Sequence, residues 1–227
     1  MDKEAAKKIL LSWSSGKDSA WALRVLRQQP EVEVVGLLST INEEFDRVAM
    51  HAVRTELLRR QAECVGLPLR LVKLPFPCGN EVYEERMNAL IAAAQVEGLE
   101  AIAFGDLFLA DVRRYRERMM AGTGITPLFP LWERPTAELA EEMVAGGLRA
   151  RITCIDPRHM PASLAGSEYN REFLSALPAG VDPCGENGEF HSFAYDGPMF
   201  SRAVEFNVGE TVERDGFIFT DLLPLRN

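Results

Sequence analysis

The chain has 227 residues, 34 of them acidic and 25 basic, for a net charge of −9 at pH 7. Hydrophobic residues at 47% and charged residues at 26% are the proportions of a folded globular protein and exclude a disordered chain. The acidic balance argues against general attraction to nucleic acid or anionic membrane, so an anionic ligand needs a local device of backbone amides or a few placed cations.

The first residues, MDKEAAKKILLSW, hold a short apolar run without a small-residue cleavage site, which does not read as a signal peptide. No run of about 18 apolar residues occurs, so no membrane span is expected. Cys64, Cys78, Cys154 and Cys184 form no C-x-x-C pair and have no zinc spacing with the histidines. They read as reduced, partly buried thiols of a cytoplasmic protein, and no structural metal is expected.

Ile9–Trp13 is an apolar run that stops at Ser14-Ser15-Gly16, and 18–27 carries apolar residues at helical spacing. A second strand is expected over 32–39 (VEVVGLLS) and a helix over 51–65 ending at Gly66, with Pro68 beyond. A third strand over 69–74, a helix over 81–96 closed by Gly98 and a fourth strand over 101–105 follow. The alternation predicts βαβ units on a parallel sheet covered on both faces. Helix is expected to about Met120, then a Gly- and Pro-rich stretch over 122–135, a helix over 136–144 and a strand over 149–155. Beyond Asp156 loops dominate, with a short helix over 168–177, candidate strands over 204–207 and 217–222, and Arg214-Asp215-Gly216 as a hairpin turn. The expected fold class is α/β, a Rossmann-like parallel sheet over residues 1–135, followed by a smaller mixed α+β domain over 136–227.

The most informative segment is SWSSGKDS, residues 12–19, where a strand runs into a turn and a helix begins. In an open parallel sheet that turn lies at a strand's carboxyl end, where α/β folds bind ligands. Turn amides and the positive end of the helix make an anion cradle. Gly16 admits close backbone approach, Ser14, Ser15 and Ser19 offer hydroxyl donors, Lys17 supplies a cation, and Asp18 is placed to orient the loop or a magnesium ion. It is not a Walker A loop. Read without any relative, the same residues also fit a polar turn capped by serine.

The segment resembles the PP-loop of the ATP pyrophosphatases, usually S-G-G-x-D-S, with Ser15 where the first Gly is usual. The G-K-D-S form is similar to that of one branch, the diphthine–ammonia ligases. Met50-His51, Gln61-Ala62-Glu63 and Gly66-Leu67-Pro68-Leu69 resemble that branch's segment at the second helix. Gly105-Asp106, Arg113, Arg116, Glu117 and Pro130-Leu131-Trp132 resemble its G-D…R…E…P-L-W block. Asp182 to Phe193, DPCGENGEFHSF, is similar to its G-E-N-G-E-[YF]-H-T signature with Ser192 for Thr, and Asp196 to Phe200 continues the match.

The resemblance implies the adenine nucleotide alpha hydrolase-like fold and ATP-driven amidation. A substrate carboxylate would attack the α-phosphate, and ammonia would then displace AMP. ATP with Mg²⁺ is the implied cofactor set, and diphthine on elongation factor 2 the implied acceptor; nucleic acid and membrane are not expected partners. Ser14, Ser15, Gly16, Lys17, Asp18 and Ser19, with Gly105, Asp106, Arg113 and Arg116, are the expected nucleotide contacts. Glu186, Asn187, Gly188, Glu189 and His191 are expected to form the acceptor and ammonia half, with Lys17, Glu186, Glu189 and His191 catalytic. Other readings stay open: Arg113 and Arg116 as solvated cations, the 186–191 run as a polar turn, an RNA-thiolating relative, or a nucleotide sensor without turnover. His51 and His159 carry no assigned role, and Trp13, Trp21 and Trp132 are assigned to packing.

Overall fold

The computed structural model describes residues 5–48 and 53–225. Lys7–Ser12 (β1) sits at the centre of a six-stranded sheet. Val32–Asn42 (β2) pairs parallel to it on one side, with Leu69–Leu74 (β4) outside β2 and the short Arg47–Val48 (β3) antiparallel at the far end of β2. On the other side of β1 lie Ala101–Ala103 (β5) and then Thr126–Leu128 (β6), both parallel. The connections are helices Lys17–Leu26 (α1), Thr55–Val65 (α2), Asn80–Val96 (α3) and Ala110–Met120 (α4). The expected parallel α/β sheet is therefore present, and strand order reverses between β1 and β5.

Thr136–Ala145 (α5) leads to an antiparallel sheet of Arg149–Ile155 (β7), Phe190–Asp196 (β8), Phe206–Arg214 (β9) and Phe217–Pro224 (β10), in the order β8-β7-β10-β9. Asp215 (φ 53) and Gly216 (φ 79) make the tight β9–β10 turn expected of Asp-Gly. The helix expected over 168–177 contracts to Arg171–Ser175 (α6), capped by Asn170, because Glu168 instead bridges to Arg151 on β7. The strand expected over 204–207 begins two residues later and extends to Arg214.

A continuous core joins the two sheets. Ile9, Leu11, Trp13 and Trp21 of the first half pack in the same cluster as Ile152, Phe190, Phe193 and Leu222 of the second. Arg54 and Arg47 also reach across to Asp221 on β10, at 2.6 and 2.9 Å. The cysteines among the described residues are unpaired, with Cys78 exposed rather than partly buried. Among the described residues no helix is long and apolar enough to cross a membrane.

Candidate active site

The turn after β1 is held from three directions. Ser15 is the residue in the left-handed region, at φ 70, where a side chain costs roughly 1–2 kcal/mol that glycine avoids. Gly16 is extended (φ −85, ψ 172), so the turn draws on no special freedom there. The Ser15 carbonyl accepts from the Ala194 amide of β8 and from Nε2 of Gln61 on α2, each at 2.9 Å. Ser15 Oγ is buried without a hydrogen-bond partner. The Ser14 and Ser19 hydroxyls lie 3.3 Å apart, and Ser19 donates to the Gly16 carbonyl at 2.9 Å. Ser192 of β8 accepts from the Lys17 amide at 3.2 Å, capping α1 from the far end of the chain.

A cavity of about 230 Å³ opens at this turn, between the carboxyl ends of β1 and β5. Ser14, Lys17, Asp18 and Ser19 form one wall; Phe104, Gly105 and Asp106, after β5, and Arg116 of α4 form the next. Cys184, Gly185 and Glu186 of the loop before β8, with His191 and Ser192 of β8 itself, close it from the other side. Gly105 lets the two loops touch: a Cβ there would lie 3.1 Å from Asp18 C and Ser19 N.

Charge is concentrated and poorly screened. The Lys17 ammonium donates to Asp18 Oδ2 at 2.9 Å and to the Cys184 carbonyl, above the rings of Tyr169 and Phe190. Burial pulls its pKa down, but the nearby negative groups, Asp18 foremost, outweigh that and hold it above the usual lysine value. Burial pushes Asp18 upward against the pull of Lys17. Burial likewise raises Asp106, whose Oδ2 faces Arg116 Nε at 3.6 Å, beyond hydrogen-bond reach. Asp18 Oδ1, Asp106 Oδ2 and Arg116 Nε are all buried without a hydrogen-bond partner. Glu186 Oε1 accepts from the Leu107 amide at 2.7 Å. Burial, reinforced by Asp18 and Asp106 against those amide bonds, brings its pKa to about 7. Burial first, and the Lys17 charge second, lower His191 to about 4, so its ring is neutral at pH 7.

Several expected site residues stand outside this wall. The Arg113 guanidinium lies over Phe129 and Trp132, at 4.9 and 4.7 Å, and pairs with Glu117. Buried Glu189 accepts from the Asp182 amide at 3.1 Å and from the Asn187 amide and side chain at 3.0 Å each. Glu189 and Asn187 thus shape the loop, and Gly188 (φ 87) completes its turn. Ser15 and Gly16 lie behind the cavity wall rather than in it. Met50 and His51 lie outside the described residues. His159 is exposed, near Asp156. Sequence reasoning missed Phe104 and Ser192 as cavity residues and Gln61 as a support behind the turn. The signal for Gln61 was available, since a polar residue stands on the buried Leu57–Leu58 face of α2.

A parallel sheet with a serine-lined turn and a helix start at its order reversal defines a nucleotide-binding α/β protein. The profile of the diphthamide synthase N-terminal domain matches residues 7–127 and that of the diphthamide synthase C-terminal domain residues 135–220. The chain belongs to the diphthamide synthase family, whose members are ATP-dependent ligases. It is 29% identical to a diphthine–ammonia ligase of Danio rerio over 191 residues, 75% of this chain and 73% of the relative. It is 26% identical to those of Rattus norvegicus and Homo sapiens, with 94% of this chain and 88% of each relative covered.

Proposed function

We propose that this chain is a diphthine–ammonia ligase that adenylates the carboxylate of diphthine on elongation factor 2 and converts it to an amide. The carboxylate oxygen attacks the α-phosphorus of ATP, pyrophosphate leaves, and ammonia then displaces AMP from the acyl-adenylate. The observation that carries the reading is that Ser14, Lys17, Asp18 and Ser19 share one cavity with Glu186, on the loop before β8, and His191, on β8. In this reading the α1 amides after Lys17, whose own amide is taken by Ser192, join Ser14, Ser19 and Arg116 in receiving the phosphates. Lys17 serves them only after leaving the Cys184 carbonyl. Glu186, with a pKa of about 7, takes the proton that the attacking nitrogen sheds. Neutral His191 is a second acceptor.

Magnesium fits as a partner of the nucleotide. No group of three or more acidic, His or Cys side chains among the described residues is poised to hold a metal alone. Mg²⁺ is typically held by one or two carboxylates together with substrate phosphates. Asp18 and Asp106, each with a buried unpartnered oxygen, supply that pair. Bound there, the ion would neutralise charge on the departing pyrophosphate. We further assign the nucleotide to residues 1–135 and the acceptor to 136–227, and the reaction to the cytoplasm.

The test is incubation with ATP, MgCl₂, ammonium and elongation factor 2 bearing diphthine. One AMP, one pyrophosphate and one amide per turnover are expected. Release of ADP would overturn cleavage between the α and β phosphates, and AMP without amide would overturn the acceptor.

A further inference from the structure

Gln61 makes no contact with the cavity, yet its environment is unusual for a glutamine. It is fully buried on the apolar face of α2, and each end of its amide is committed. Oε1 accepts from Trp13 Nε1 at 2.9 Å; Nε2 donates to the Ser15 carbonyl at 2.9 Å and to the Ala194 carbonyl at 2.5 Å. These are the residue before the turn, the turn's left-handed residue, and the strand of the second sheet that flanks it. Trp13 fixes which way the amide points, because only its oxygen can accept the indole proton. The nitrogen is thereby aimed at Ser15.

Ser15 needs such a hold. Its backbone lies where residues with a side chain are disfavoured, and its own hydroxyl finds no partner to compensate. Freed of its restraints, the turn would relax towards φ < 0 and swing the following residues, Ser19 and the α1 amides included, away from the cavity. We infer that Gln61 is a positioning residue for the phosphate-binding turn, holding strained Ser15 in the left-handed conformation that a glycine would adopt unaided. The inference rests on the turn being the nucleotide site.

The test is a cycle of Gln61→Leu, Ser15→Gly and the double variant, read by calorimetric titration with Mg-ATP, by KM and kcat for ATP, and by thermal unfolding. Gln61→Leu should weaken ATP binding and raise KM on the order of tenfold, with kcat changed less, the effect of losing a hydrogen bond that orients the site. Ser15→Gly serves as the reference background whatever its own ATP affinity: there Gln61→Leu should cost no more than about twofold against the tenfold seen with Ser15, a coupling that independent sites do not show. Equal impairment of Gln61→Leu with and without Ser15→Gly overturns the inference, as does unchanged ATP affinity in Gln61→Leu. Should Gln61→Leu fail to fold, Trp13→Phe, which leaves the amide unoriented, takes its place: ATP affinity must fall and be rescued by Ser15→Gly, or the inference fails. A wild-type protein that binds no ATP would instead remove the nucleotide reading itself.

Discussion

Glu186 offers the sharpest test of the site's electrostatics. Its carboxylate faces Asp18 and Asp106 in a largely buried wall, and its pKa of about 7 stands against 4.5 for an ordinary glutamate. At about 1.4 kcal/mol per pH unit, that gap amounts to about 3 kcal/mol by which ionised Glu186 weakens the ligand-free fold. The sign follows from the upward shift: the penalty is absent below pH 4.5, where folded and unfolded chains are both protonated, grows as pH rises from 4.5 to 7, and is complete above 7. Glu186→Gln keeps an oxygen for the Leu107 amide and removes the charge. Urea unfolding of the ligand-free protein should therefore show little difference between variant and wild type at pH 4.5, and a gain of about 2–3 kcal/mol for the variant at pH 8. Amide formation by the same variant should collapse, since in the proposed reaction Glu186 takes the proton that the attacking nitrogen sheds. A stability difference that is the same at pH 4.5 and pH 8 would refute the reasoning.

Other outcomes follow from the same geometry. The His191 ring, held near 4, should show constant proton NMR shifts from pH 8 to 5.5; a midpoint near 6.5 would mean that the ring is not buried as described. It loses stability as pH falls from 6.5 through 4, the opposite direction to Glu186. Glu189→Gln should lower unfolding free energy by about 2 kcal/mol, because its charge-assisted bonds build the loop. Lost activity with unchanged stability would make Glu189 a substrate ligand instead. Gly105→Ala should press the turn at Asp18 and Ser19, weakening ATP binding on the order of tenfold and lowering stability by about 1–3 kcal/mol, measurable by calorimetry and melting.

The parallel sheet was legible because the inner stretches of β1 and β2 are buried and read as apolar runs. Ile9–Leu11 and 36–39 are almost wholly inaccessible, and their helices carry clear stripes. Thr126–Leu128 was hidden in a Pro-rich stretch: Pro127 donates no amide, and the strand is tolerated because it lies at the sheet edge. Strand β9 is exposed along most of its length, so it shows no two-residue alternation by which to place its ends. Strand β8 follows a glycine-rich loop, and its His191 and Ser192 look like loop chemistry until the sheet is seen. In the site, residue types alone could not tell a carboxylate that faces the cavity, Glu186, from one three positions later that folds back on its own loop, Glu189. That distinction rests on backbone torsions at Gly185 and Gly188, which spacing does not encode.

The turn's attachments also set a rule about when the protein can work. Ser15 is fastened to Ala194 and the first amide of α1 to Ser192, 175 positions further along. The early half therefore leaves the ribosome before the β8 partners that fasten its turn have been made. Severing the two halves between Leu128 and Thr136 should accordingly leave neither fragment with a fastened turn until they are mixed.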